Sequence, residues 1–344
     1  MADSNNITSN QTCVMIATSV STFFILVYSI LFLVGLLLNC FIMKFYFEQQ
    51  ASSSLMVYLK NLTAADFLLC LFLPLRIVHY ASTSVPIQRL YSTFGASAIF
   101  LNMYASIIFM GYIAVNRYLK IVHPSRTHFL QTIQAARKIS LITWLILLAP
   151  TVIYNTLLLI TQPHVSAGPG CCSAFFSELG SVLHKTLHAG CIIIFLLVFI
   201  SLVFFYYSIS RRVLLVQQRQ LASSGCEKLL KSRRNMLVLV SIFCVCFVPH
   251  HLVRLPFTFL CSKGFVGQVL YYLKEVATLV SVFNICLDPV VYFFLCKAFR
   301  AQLSQKTESL RAQVNIQQPK KENENTEQQL SILQSTATSQ TSEL

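Results

Sequence analysis

Long apolar segments alternate with short polar ones along the chain as far as residue 295. Seven of these segments have the length that a membrane-crossing helix needs, about 20 mostly apolar residues. They cover residues 21–46, 54–80, 93–116, 138–160, 186–209, 235–260 and 268–295. The pattern therefore predicts an all-α membrane protein in which residues 21–296 form a bundle of seven transmembrane helices.

The two ends of the chain do not share this pattern. Residues 1–20 carry Asn6 and Asn10 in the Asn-X-Thr sequence that accepts N-linked glycans, so this segment is expected to be extracellular and glycosylated. No cleavable signal peptide is expected, because the first apolar segment is too long for one. Residues 306–344 are rich in Gln, Ser, Thr and Glu, which predicts a disordered cytoplasmic tail.

The formal net charge of +14 comes from 26 Lys and Arg residues against 12 Asp and Glu residues. Basic residues concentrate after the first, third, fifth and seventh apolar segments, whereas the other gaps hold chiefly Arg89, Lys185 and Lys263. Cytoplasmic loops carry the excess of Lys and Arg in membrane proteins. The alternation predicts a plasma-membrane protein with an extracellular N-terminus and a cytoplasmic C-terminus. It also favours a lipid bilayer, and not nucleic acid, as the partner of this charge.

Four polar residues lie inside or at the end of predicted membrane spans, each in a different span. They are Asn39, Asp66, Arg117 and Asp288. Polar and ionisable residues at this depth are expensive and usually face the bundle interior or a cavity. Any one of them could make a simple helix–helix hydrogen bond, but four together indicate a shared polar network.

Short motifs within residues 20–305 resemble those of the class A, rhodopsin-like G-protein-coupled receptors. The motifs are Asn39, Leu62–Asp66, Asn116-Arg117-Tyr118, Trp144, Tyr206, Phe247-Val248-Pro249 and Asp288-Pro289-Val290-Val291-Tyr292. Lys297-Ala298-Phe299-Arg300 resembles the start of a short amphipathic eighth helix, expected over residues 297–305.

The resemblance implies a receptor that activates a heterotrimeric G protein, by analogy of the inhibitory class, and that is not an enzyme. The Ser/Thr-rich tail would bind receptor kinases and arrestin. Pro249 and Pro289 each remove a backbone hydrogen bond, so they are expected to kink their helices. By resemblance, activation and G-protein coupling fall on Asn116, Arg117, Tyr118, Tyr206, Phe247, Pro249, Asp288, Pro289 and Tyr292.

The resemblance also implies a polar site in the middle of the membrane. Its residues would be Asp66, Ser106, Asn284 and Asp288. Their oxygen atoms suit a hard cation, so the site would hold either an allosteric sodium ion or only water. No other cofactor is expected.

Within class A, the segment FVPHHLVRLPF at residues 247–257 resembles the purinergic nucleotide receptors of the ADP and UDP-sugar branch. The implied ligand is a small anion, with a phosphate-bearing one favoured because Arg and Lys suit phosphate oxygens. The implied ligand residues are Arg76, Phe100, Tyr104, His184, His188, His251, Arg254 and Lys274. Alternatively, Arg254 and Lys274 extend to the membrane interface or pair with Glu275, and His184, His188 and His250 are packing residues.

Several positions depart from this pattern. Ser92 stands where the class has the cysteine that pairs with Cys172, so the usual bridge cannot form, whereas Cys13 and Cys261 match the second bridge of the branch. Phe100, Thr151 and Phe176 replace polar residues that would contact a nucleotide, and Asn116 replaces an aspartate. A lysophospholipid is therefore an alternative ligand. A small membrane transporter is an alternative of another class, although no internal repeat supports it.

Overall fold

The computed structural model describes residues 2–48, 52–122, 129–160, 178–218, 224–259, 265–296, 299–305, 307–308 and 311. The main α-helices run in chain order as α1 (Ala2–Glu48), α2 (Ser54–Ala81), α3 (Val85–Leu90), α4 (Ala96–Val122), α5 (Ile133–Ile160), α6 (Glu178–Gln218), α7 (Ser224–Phe259), α8 (Phe265–Val282) and α9 (Asn284–Leu295). A π-helical turn, Tyr91–Gly95, joins α3 to α4, and a 3₁₀ turn, Phe129–Gln131, precedes α5. The described residues contain no β-strand.

Seven helical segments are long and apolar enough to cross a membrane, which confirms the predicted bundle. They are Ser19–Tyr46, Ser54–Ala81, Val85–Val122, Ile133–Ile160, Val182–Leu215, Leu229–Thr258 and Val266–Leu295. Helices satisfy their own backbone polar groups, which hydrocarbon cannot do. Residues 299–305 are also helical, as expected for an eighth helix.

The chain divides into two compact units, Met1–Tyr292 and Phe293–Leu344. The first unit contains the polar sites described below. The second contains the last turn of α9 and the helical residues 299–305.

The third span lies at the centre of the first unit. Ile107, Phe109 and Ile113 in α4 are fully buried, whereas α5 exposes Leu141 and Ile153. An apolar exposed surface of this kind suits lipid contact and would be unfavourable in water. The helices therefore sort by position, with α4 surrounded by protein and α5 at the edge.

The seventh span is broken, which the sequence did not predict. The expectation was one continuous helix kinked at Pro289, but α8 ends at Val282 and α9 begins at Asn284, with Phe283 in a turn between them. The amide of Phe283 closes α8 by donating to Leu279 O, and the amide of Cys286 donates to Phe283 O. Pro289 still affects the helix, since a proline there removes the hydrogen bond to the carbonyl four residues earlier.

That carbonyl belongs to Ile285, and Asn39 replaces the missing donor. Asn39 Nδ2 lies 3.1 Å from Ile285 O and 2.9 Å from Gly35 O, in a fully buried position. A buried carbonyl without a partner would be unfavourable. Asn39 therefore joins α1 to the part of α9 that proline leaves unpaired.

The third span begins earlier than predicted, at Val85 instead of residue 93. The π-helical turn within it turns Tyr91 inward, where its ring stacks on His79 at 4.1 Å between centroids. Gly95 makes this possible, because an added Cβ would lie 2.4 Å from the Tyr91 ring. Ser92, on the same turn, is exposed and donates its hydroxyl to Arg89 O.

Candidate ligand site and cytoplasmic face

A buried carboxylate joins two helices, α2 and α8, at one end of the bundle. Glu275, in α8, is 6% exposed and accepts from Arg76 Nη2 of α2 at 2.5 Å. Its other oxygen lies 2.6 Å from Lys274 Nζ. The hydroxyl of Tyr80 donates to the oxygen that Arg76 also contacts. One negative charge therefore faces two positive charges, and the group keeps a net positive charge.

Aromatic rings hold the Arg76 guanidinium in place. Its central carbon lies 4.8 Å from the Tyr28 ring, 5.5 Å from Tyr80 and 5.4 Å from Tyr91. A guanidinium over an aromatic face is attracted by the ring quadrupole. Because Tyr91 comes from the π-helical turn, this arrangement fixes the top of the third span against α1 and α2. These contacts lie beside Ser92, the residue that replaces the usual disulfide-forming cysteine.

Arg254 forms the second positive group at this end. Its guanidinium carbon lies 5.1 Å from the Phe100 ring and 5.6 Å from the Phe257 ring, and its Nη2 is 2.9 Å from His188 Nε2. Arginine can only donate, so His188 Nε2 accepts. The side chain therefore lies near two aromatic rings and points towards His188 of α6.

Histidines complete this end of the bundle. His251 Nδ1 lies 2.8 Å from Phe247 O and can only donate there, so its Nε2, at 3.0 Å, accepts from the Tyr104 hydroxyl. Its ring stacks on Phe195 at 3.8 Å. His184 Nδ1 lies 3.1 Å from the Tyr154 hydroxyl, and its ring meets His188 edge-on at 4.3 Å.

The structure brings the predicted ligand residues to one end of the bundle in three groups. Arg76 and Lys274 surround Glu275, Arg254 joins Phe100, His188 and His184, and Tyr104 joins His251. The alternative pairing of Lys274 with Glu275 is confirmed. The sequence interpretation missed that Glu275 also pairs with Arg76 and Tyr80. The only signal was a lone carboxylate beside Lys274, which does not show its partner in α2.

The mid-membrane residues form a second polar group. Asn102 Nδ2 donates to Asp66 Oδ1 at 3.0 Å, and Asn284 Nδ2 donates to Asp288 Oδ2 at 2.9 Å. Ser106 is fully buried, and the structure adds Asn102, which the sequence interpretation omitted. The other oxygen atoms of Asp66, Asp288 and Asn284, and the Ser106 hydroxyl, are buried without a hydrogen-bond partner among the described residues.

The described residues contain no group of three His, Cys, Asp or Glu side chains arranged to hold a metal ion. The mid-membrane group differs from such sites, since it combines two carboxylates with amide and hydroxyl oxygens. These oxygens are the ligand type that a hard cation takes.

The predicted activation residues lie at the floor of the ligand site and towards the other end of the bundle. Phe247 is fully buried against Phe243, at 5.3 Å between ring centroids. Tyr118 stacks on Phe205 of α6 at 4.7 Å, and Tyr292 meets Tyr46 edge-on at 6.1 Å. Tyr206 and Pro249 are half-buried in α6 and α7. The structure does not test the roles of these residues.

Asn116 has a partner in α2. Its Nδ2 donates to Ser54 Oγ at 2.7 Å, and the side chain is 1% exposed. Trp144 makes a parallel link, because its indole nitrogen donates to Asn61 Oδ1 at 2.9 Å. The second span is thus tied to the third and fourth at this end.

The Asn116→Asp variant is expected to show about two- to fivefold lower ligand-independent signalling. Aspartate would instead accept a hydrogen bond from the Ser54 hydroxyl, and it would add an ion pair with Arg117, which resists release of the arginine. An ion pair of up to about 1 kcal/mol corresponds to about a fivefold shift. GTPγS binding in membranes, normalised to receptor abundance, measures this. Equal basal signalling in the two receptors would contradict the interpretation.

Other predicted features lie outside what the structure describes. Cys172, Phe176 and Cys261 lie outside the described residues, as do residues 312–344 of the tail. Asn6, Asn10 and Cys13 lie in α1, but their side chains are not described. The Cys13–Cys261 bridge, the glycosylation and the tail interactions stay predictions.

The comparisons with known proteins agree with this architecture. The family model for the 7 transmembrane receptor (rhodopsin family) matches residues 38–292. Purinoceptor 14 of Bos taurus is 34% identical over 286 residues, covering 82% of this chain and 84% of that protein. Purinoceptor 13 of Homo sapiens is 32% identical, covering 80% and 78%, and G-protein coupled receptor 171 of Rattus norvegicus is 30% identical, covering 88% and 92%.

The chain belongs to the rhodopsin family of seven-transmembrane receptors. It is a multi-pass plasma-membrane receptor that couples to a heterotrimeric G protein, and it is not an enzyme. The alternative of a small membrane transporter is therefore wrong.

Proposed function

We propose that this receptor responds to an extracellular phosphate-bearing anion, with a nucleotide or nucleotide sugar as the first candidate, and signals through an inhibitory G protein. The observation that carries this is the convergence of Arg76, Lys274 and Arg254 at one end of the bundle, where the first two share the Glu275 carboxylate and the third lies over Phe100. Relatives named purinoceptors support the nucleotide class.

The charge balance of this end favours an anion. Arg76 and Lys274 share the single carboxylate of Glu275, so that group keeps a net positive charge. Arg254 is the cation best placed for the ligand, because Phe100, Phe257 and His188 fix its direction while its planar fork suits phosphate oxygens. Lys274 shares its charge with Glu275 and would contribute less.

A lysophospholipid is the second candidate. The observation that favours it is Phe100, which places a hydrocarbon ring instead of a hydroxyl beside Arg254. A phosphate could then bind at the cations while an acyl chain packs against aromatic surfaces.

The proposed orientation has an extracellular N-terminus, with the cationic end of the bundle facing outside. The concentration of basic residues after α1, α4 and α6 is consistent with it.

The proposed partners on the cytoplasmic side follow the family. An inhibitory G protein would bind near Arg117 when the sixth span moves outward, with Pro249 and the turn at Phe283 as the places where helices bend. Receptor kinases and arrestin would bind the Ser/Thr-rich tail.

The mid-membrane group fits an allosteric sodium ion, which would be held by oxygens of Asp66, Ser106, Asn284 and Asp288. Their buried oxygens support this, because such atoms are normally satisfied by a partner, a water molecule or an ion. A bound sodium ion would offset the charge of one of the two carboxylates.

Sodium is expected to stabilise the receptor, and Asp66→Asn is expected to remove that effect. At a sodium concentration ten times its Kd, the stabilisation is about 1.4 kcal/mol. The melting temperature of purified receptor in sodium chloride and in choline chloride, at equal ionic strength, measures it. The same melting temperature in both salts for the unchanged receptor would contradict the sodium site.

The proposed function is tested by a ligand panel. Cells expressing the receptor are exposed to ADP, UDP, UDP-glucose and lysophosphatidylserine, and G-protein activation is recorded. A response to a nucleotide that Arg254→Ala removes would support the first candidate. A response to the lipid alone would support the second, and no response to any of them would contradict the phosphate class.

A further inference from the structure

One histidine at the cationic end differs from its neighbours. His184, His188 and His251 each have a hydrogen-bond partner: Tyr154, Arg254 and Tyr104, respectively. His250 is 2% exposed, and neither of its ring nitrogens has a hydrogen-bond partner in the part of the chain that the structure describes. Leaving a buried polar atom unsatisfied is unfavourable, so such an atom in a native protein needs an explanation.

The surroundings of His250 point to the ligand site. Its ring meets Phe100 edge-on at 6.0 Å and His251 edge-on at 5.5 Å. Arg254, Lys274 and Arg76 also act on it electrostatically. The imidazole therefore lies among cations from α2, α7 and α8, beside the phenylalanine that packs on Arg254.

The chemistry of the ring limits what can satisfy it. A neutral imidazole offers one N–H donor and one nitrogen acceptor. A phosphate oxygen held at Arg254 and Lys274 could accept from the N–H, but the second nitrogen would still need a donor. A phosphate provides none when it is fully ionised, and no donor among the described residues, those of Arg254 and Lys274 included, reaches either ring nitrogen. The missing donor would therefore be a hydroxyl carried by the ligand near its phosphate.

We infer that His250 recognises a hydroxyl adjacent to the ligand's phosphate group, so that the receptor selects hydroxylated phosphate esters over their deoxy counterparts. One ring nitrogen accepts from the hydroxyl while the other donates to a phosphate oxygen. The inference rests on the proposed phosphate site and adds a selectivity to it. This chemistry occurs in two sources, the sugar of a nucleotide sugar and the glycerol of a lysophospholipid.

The test compares ligands that differ by one hydroxyl. UDP-glucose is paired with UDP-2-deoxyglucose, and lysophosphatidylserine is paired with its analogue lacking the free glycerol hydroxyl. Each pair is applied to the unchanged receptor, to His250→Phe and to His250→Asn, and the potency for G-protein activation is measured. Surface abundance of each receptor is measured in parallel.

His250→Phe is expected to reduce the potency of the hydroxylated ligand about tenfold more than that of the deoxy ligand, which loses only the hydrogen bond to its phosphate, and this removes the selectivity. His250→Asn, which keeps a donor and an acceptor, is expected to recover part of it. The pair that shows selectivity identifies the source of the hydroxyl. Phenylalanine leaves no unsatisfied polar atom in this buried position, so His250→Phe is expected to reach the surface with an unchanged or higher melting temperature.

Three results would overturn the inference. An equal loss of potency for both members of a pair would mean that His250 only shapes the site. An unchanged potency for both would mean that it does not contact the ligand; in both cases the proposed function stands. No response of the unchanged receptor to any of the four ligands would overturn this inference, and no response to ADP or UDP either would overturn the phosphate class with it.

Discussion

Glu275→Ala is expected to destabilise the receptor by about 3–5 kcal/mol, because it leaves two buried cations without their shared counter-charge. Arg76, at 4% exposure, would lose its 2.5 Å contact, and Lys274 would lose its 2.6 Å contact. The Tyr80 hydroxyl would lose its acceptor as well. The melting temperature of detergent-solubilised receptor, together with the amount of receptor at the cell surface, measures this effect.

Two further variants separate the charge from the local packing. Glu275→Gln keeps the shape and one acceptor oxygen but removes the charge, so an intermediate loss is expected. Glu227→Ala, at an exposed position in α7, serves as the matched control and is expected to leave the melting temperature unchanged. A melting temperature of Glu275→Ala equal to that of Glu227→Ala would show that the ion pairs do not hold the helices together.

The bundle itself could be predicted from the sequence because its signal is strong. A spanning helix needs a long apolar run and cannot leave backbone groups unsatisfied in hydrocarbon. The predicted span 54–80 and the observed Ser54–Ala81 differ by one residue at the end. Such boundaries depend mainly on local composition, so they can be predicted from a single sequence.

The interruptions within the spans could not be predicted in the same way. The turn at Phe283 lies in an apolar run with no glycine or proline at that position. Asn39, far away in the chain, donates to the carbonyl that Pro289 leaves unpaired. The π-helical turn likewise depends on Tyr91 meeting Arg76 and His79. These features depend on contacts between distant segments, and periodicity carries no information about them.

The candidate site was predictable in its residue types but not in its pairing. The sequence placed the cations Arg254 and Lys274 at the same depth. It did not show that Glu275 pairs with Lys274 and also with Arg76. His250 was interpreted as a packing residue, because the sequence cannot show that its nitrogens have no partner. A histidine in an apolar helix usually has a hydrogen-bond partner. Only the structure shows that the other three histidines of this end have one and that His250 has none among the described residues.

Arg254→Ala is expected to reduce the potency of a phosphate-bearing agonist by on the order of 100-fold. The guanidinium can make two charged hydrogen bonds to a phosphate, each contributing about 1.5–3 kcal/mol. Part of the affinity would remain, because Lys274 stays near the site while it is paired with Glu275. Concentration–response curves for G-protein activation by UDP-glucose and by lysophosphatidylserine, at matched surface abundance, measure the change.

Arg254→Lys distinguishes the positive charge from the shape of the side chain. Lysine keeps the charge but lacks the planar fork, and it packs less well between Phe100 and Phe257, which lie 5.1 and 5.6 Å from the guanidinium carbon. An intermediate loss of about tenfold is therefore expected. If Arg254→Ala and Arg254→Lys both kept the potency of the unchanged receptor, the arginine would serve only to hold His188 and the two rings, and the phosphate would have to bind at Lys274 and Arg76. If Arg254→Ala lost potency and Arg254→Lys kept all of it, the site would need only the positive charge. The two hydrogen bonds of a guanidinium, whose direction the aromatic contacts fix, would then not be required.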